Sequence, residues 1–94
     1  MPGIQATLNE RQSTHGVFNE NARTSQHIKT VLRKHEGWYR LTPSQCEALE
    51  VIAAKVARIL CGNPNEPDHW HDISGYSTLV YKELTGGESA ITPN

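Results

Sequence analysis

With 94 residues, 36% of them hydrophobic, the chain is long enough for one small domain and too short for two. A formal net charge of -1 and a sequence pI near 6.5 exclude a broad basic surface of the kind that neutralises many nucleic-acid phosphates. The N-terminus has no apolar leader-like core and no stretch approaches ~18 apolar residues, so a soluble, cytoplasmic protein without membrane contact or direct DNA binding is expected.

Residues 1–16 are polar, with Ile4, Ala6 and Leu8 as a weak apolar pattern, and read as a short helix or an arm. The main domain is expected over 17–86. Its first long helix is predicted from Phe18 to His35, with Phe18, Ala22, Ser25, Ile28 and Leu32 on one stripe and Gly37 as the stop. Asn21 and Ser25 put polar groups on or beside that stripe. They either satisfy neighbouring backbone or read a ligand, and His15 stands at the helix entrance with them.

The central helix starts at Thr42 as N-cap, with Pro43 at the first helical position and Gln45 closing a capping box, and it stops at Gly62. Leu49, Ile52, Ala53, Val56, Ile59 and Leu60 form its apolar stripe. Its other side is mixed, which places it centrally with neighbours on both flanks. Cys46 and Cys61 sit about 22 Å apart along this helix and cannot pair within one protomer.

After the turn Gly62–Pro67 a last helix is predicted, capped by Asp68 and closed by Gly86. Trp70, Ile73, Ser77, Val80, Tyr81 and Leu84 form its main stripe, read as core. Asp72, Tyr76, Leu79 and Glu83 form a second face. No alternating β-branched run exists. The fold expected is all-α: an antiparallel bundle of three main helices with a short N-terminal helix or arm, and a flexible tail over 87–94. Val51, Ala54 and Leu79 lie beyond the needs of one core and point to a homo-oligomer.

Candidate chemistry concentrates on the last two helices. Glu47 and Glu50 are three residues apart, and Asp68 and Asp72 four apart. Such carboxylates either complement helix dipoles or hold Mg²⁺ or Mn²⁺, ions that take oxygen ligands and leave positions for phosphate. In a tight hairpin the two pairs lie at opposite ends, so their meeting needs two protomers. Lys55 and Arg58 face the returning helix and can pair with Asp72. Alternatively, Arg58 offers phosphate a bidentate fork. His69 and His71 are two apart and cannot chelate one ion on a helix. One of them instead suits a carboxylate or a ligand. Tyr76 shares a face with Asp72.

The runs HGVFNENA (15–22), LTPSQCEALEVIAAKVARIL (41–60) followed by GNP (62–64), and DHWHDISGYSTLV (68–80) resemble a small domain of unknown function common in phage and prophage genomes. That family in turn looks like nucleotide-modification-associated and MazG-like all-α groups, with Lys55, Arg58 and Ile59 on one helix and Asp72 and Tyr76 on the next. The resemblance implies a phage accessory protein that binds nucleotide phosphates, as a degenerate form of an Mg²⁺-dependent nucleoside triphosphate pyrophosphohydrolase. The MazG-like pattern is ExxE followed by ExxD. Here Glu47 and Glu50 keep the first spacing, and Asp68 and Asp72 replace the second with a longer one. The competing expectation is a non-enzymatic inhibitor of a host anti-phage defence. Such an inhibitor would act as a sponge for a signalling nucleotide or bind a defence protein, as an anti-CRISPR does.

Overall fold

A computed structural model describes residues 3–86. Among them are four α-helices and no strand: α1 (Ile4–His15), α2 (Phe18–Lys34), α3 (Pro43–Cys61) and α4 (Pro67–Leu84), with a 3₁₀ turn at Glu36–Arg40. The expectation for 87–94 lies outside the described residues.

Local chemistry sets the helix ends. Thr42 and Gln45 form the reciprocal capping box, with Thr42 Oγ1 accepting from Gln45 N at 3.1 Å and Gln45 Oε1 from Thr42 N at 2.9 Å. Two expected boundaries differ. α2 stops at Lys34, because His35 turns to extended backbone and its Nδ1 accepts from Gly37 N at 2.8 Å. The cap of α4 is Glu66, whose carboxylate accepts from Asp68 N, and not Asp68. Pro67 takes the first helical position, where its fixed φ and missing N–H cost nothing, and so pushes the cap one residue upstream of itself.

α3 is central. Thr24 accepts from the Cys61 thiol, and Arg33 pairs with Glu50, so α2 runs antiparallel to α3. Lys55 pairs with Asp72 and Ser44 donates to Glu83, so α4 does too. α2 and α4 do not pack along one another. The α3 positions that meet α2 and those that meet α4 lie roughly 120° apart around the helix, twice the ~60° of a closed three-helix bundle. α2, α3 and α4 therefore form a single layer. α1 crosses one side of it, touching α3 and α2.

The buried set is small: Ala48, Ala53 and Ala57 on α3, with Ser25 and His69 from its flanks. Alanines let the neighbouring helices approach α3 closely, yet no large apolar side chain among the described residues is fully buried. Several residues expected in the core are exposed, Phe18 by 82%, Leu60 by 68% and Trp70 by 54%, with Tyr81 and Leu84 similar. Phe18 lines a cleft on the side crossed by α1, and nothing among the described residues covers Leu60, Trp70, Tyr81 and Leu84.

Candidate functional site

The site is built where the C-terminus of α1 hooks over the C-terminus of α3. Gly16 sits at φ +85, and a Cβ there would lie 2.3 Å from the Cys61 carbonyl oxygen. Gly62 faces it, and a Cβ on Gly62 would lie 2.3 Å from the Thr14 carbonyl oxygen. Only glycines permit this backbone crossing. The Thr14 carbonyl accepts from Asn63 N at 3.0 Å and from His69 Nε2 at 2.8 Å. His69 is 2% exposed, and the acceptor fixes its proton on Nε2. Asn21 Nδ2 donates to the His15 carbonyl at 3.1 Å. Two expected ligand residues, His69 and Asn21, thus spend these polar groups on holding α1 in place.

Crossing the layer, α1 creates two clefts. One, of about 780 Å³, lies between α1, α2 and α3 and includes Leu8, Val17, Phe18, Ala22 and Ala54. The other, of about 410 Å³, lies between α1, α3 and α4 and includes Thr14, Glu66, Asp68, His69 and Asp72. Arg11, His15 and Arg58 line both. The His15 ring stands edge-on to His69 with centroids 5.1 Å apart. Partial burial, then the positive charge of Arg58 and the neighbouring His69 ring, holds the His15 pKa below its ordinary value. Neither Arg11 nor Arg58 makes an ion pair among the described residues. In the larger cleft no carboxylate stands beside Arg11, His15 and the half-buried Arg58, whereas the smaller cleft sets Glu10, Glu66, Asp68 and Asp72 against the same two guanidinium groups.

The four acidic candidates fall in three places. Glu50 receives both nitrogens of the Arg33 fork, at 3.0 and 3.1 Å, and this hydrogen bonding holds its pKa down. Glu47 lies at the far end of the layer, by a cleft of about 360 Å³ shared with Tyr76, Leu79 and Glu83. Asp68 and Asp72 border the Arg58 cleft, where Lys55 Nζ bonds Asp72 at 2.9 Å and lowers its pKa. No three His, Cys, Asp or Glu side chains among the described residues converge as a metal site requires. Among the described residues of one protomer, Glu47, Glu50, Asp68 and Asp72 do not come together as a divalent-cation clamp. Tyr76 is likewise remote from the Arg58 cleft, on the Glu47 side. Arg11, by contrast, was not among the residues picked out by sequence. Its spacing of four from His15 places both on one side of α1, a signal available only once 4–15 is known to be helical.

A family model described as a domain of unknown function, DUF6378, matches residues 4–84, and the chain belongs to that family. No curated protein and no solved structure matches it.

Proposed function

We propose that this member of the family binds a phosphate-bearing nucleotide across the two clefts. Its phosphates would lie on Arg58, Arg11 and His15, and its base and sugar would lie along the larger cleft by Leu8, Val17 and Ala22. The observation that carries this reading is Arg58, a guanidinium with no carboxylate partner among the described residues, open to both clefts. Its planar fork suits two phosphate oxygens at once. Lys55 takes no direct part. By neutralising Asp72 it keeps that carboxylate from repelling the phosphates.

The reaction class is binding. Water activation in MazG-like enzymes relies on clustered acids, and here Glu47, Glu50 and Asp72 stand apart or are paired. A phage accessory role as a nucleotide sponge, with α2–α4 as an antiparallel helical unit related to the MazG-like groups, is the fuller form of the proposal. A second reading, capture of a host defence protein, draws on the exposed aromatic rings of Phe18 and Tyr39.

Calorimetric titration with inorganic pyrophosphate and with each nucleoside triphosphate tests the proposal. The wild-type chain should bind at least one of them, and Arg58→Gln should bind it ten-fold or more weakly, the loss of one charge-assisted contact of ~1.5–3 kcal/mol. No heat with any of these probes, or unchanged binding by Arg58→Gln, would refute it.

A further inference from the structure

The side of the layer away from α1 carries the apolar stripes of α3 and α4, and nothing among the described residues covers it. On α3, Leu49, Ile52, Val56 and Ile59 follow one another at spacings of three, four and three. That is the repeat of a seam between two helices. Ile52, Val56 and Ile59 are half-buried, and Leu49 and Leu60 are exposed. Every charged residue of α3 (Glu47, Glu50, Lys55, Arg58) points elsewhere: Glu50 to α2, Lys55 to α4, Glu47 and Arg58 into the clefts. Helical spacing puts Val31 of α2 and Trp70, Tyr81 and Leu84 of α4, all exposed, at the edges of the same face.

We infer that this face is the interface of a two-fold dimer of this chain. Three observations select a second copy as the occupant. Domains are built from two packed layers around a core, and the described residues of this protomer supply one layer and no fully buried large side chain. The seam is self-complementary: with two α3 helices antiparallel about an axis near Ala54, Leu49 meets Ile59 of the other copy and Ile52 meets Val56, with no charge on the seam of either copy. The area is also sufficient. Val31, Leu49, Leu60, Trp70, Tyr81 and Leu84 together offer on the order of 700 Å² of exposed surface before the half-buried residues are added, against the ~800 Å² per partner of a standard interface. The expectation of a homo-oligomer is thereby moved to another face. Of Val51, Ala54 and Leu79, on which that expectation rests, Ala54 lines the larger cleft, and Leu79, two turns after Asp72 on α4, lines the cleft shared with Glu47.

Light scattering on the whole chain at micromolar concentration should return twice the 10.5 kDa protomer mass. The variant carrying Leu49→Glu and Leu60→Glu, both at exposed positions, should raise the dissociation constant at least a hundred-fold. Leu79→Glu, on the other face, should leave it unchanged. A soluble gadolinium chelate added to the wild-type protein should spare the methyl signals of Ile52, Val56 and Ile59 in concentrated solution and broaden them on dilution, a readout that needs no variant. A wild-type monomer, whether free or pelleting with anionic lipid vesicles, would overturn the inference. So would a dimer that Leu79→Glu dissociates and the Leu49/Leu60 variant does not, or methyl signals broadened equally at all concentrations.

Discussion

The two faces of the α2–α3–α4 layer are built on opposite principles. The face crossed by α1 is uneven and polar. It owes its clefts to a backbone crossing between Gly16 and Gly62 and to a buried imidazole, and it concentrates Arg11, His15 and Arg58. The other face is apolar along α3 and α4 and has no charged residue on its central seam. A helix with one apolar stripe needs one cover. α3 has neighbours on two flanks and α1 on a third side, so its charged positions are taken up by ion pairs and clefts and its apolar stripe is left over. The proposed binding on one face and the proposed association on the other both rest on this division of α3's circumference.

The largest effect should come from Gly16→Ala. The substitution puts a Cβ into a left-handed backbone position and within 2.3 Å of the Cys61 carbonyl oxygen. A cost above ~2 kcal/mol is expected, read as a large drop in melting temperature together with loss of pyrophosphate binding. If the faces are independent, the dimer mass survives wherever the variant stays folded. An unchanged melt would mean α1 is not held by this crossing.

His69→Ala should follow, at ~1–3 kcal/mol, because it removes a buried donor and leaves the Thr14 carbonyl with Asn63 N alone. Hydrogen exchange should then quicken in α1 well before it quickens in α3. Uniform loosening of both would show that the two faces are not separable.

Acid should act through His15. Its folded pKa lies below the ordinary 6.5, chiefly through burial, so near pH 6.5 the unfolded chain binds more protons than the folded one. Stability therefore rises with pH across the window between the folded pKa and 6.5, and it falls as pH drops through that window. His15→Gln should flatten this part of the profile, and a profile identical to wild type would contradict the burial assigned to His15. Phosphate on the same site favours the charged ring, so binding near pH 6.5 should take up a proton. Buffers of different ionisation enthalpy would report that uptake as different heats.

Arg33→Ala should matter least. Its pair with Glu50 is exposed and screened, so the melting temperature and pyrophosphate affinity should both stay close to wild type. A large change in either would show that the α2–α3 flank contributes to the site.

Helix ends were largely legible in the sequence because caps are local. Thr42, Pro43, Gln45 and Gly62 specify α3 within a few residues of themselves. The stripes were legible as well. What covers a stripe was not, since periodicity reports which residues share a face and is silent on whether a neighbour, solvent or another copy meets it. Trp70, Tyr81 and Leu84 show this. Of the proposed site, Arg58 and His15 stand out in the sequence by their chemistry alone. Arg11 stayed hidden because α1 has no apolar stripe to announce a helix, and its position depends on the nonlocal contact of Gly16 with Gly62.

The most direct test of the division between faces is a single series of methyl and amide NMR spectra, recorded once during pyrophosphate addition and once during dilution. Pyrophosphate should move the signals of Arg11, His15 and Arg58, and dilution should move those of Leu49, Ile52, Val56 and Ile59, with the two sets separate. Overlapping sets, or pyrophosphate shifts centred on the Leu49–Ile59 stripe, would contradict the account.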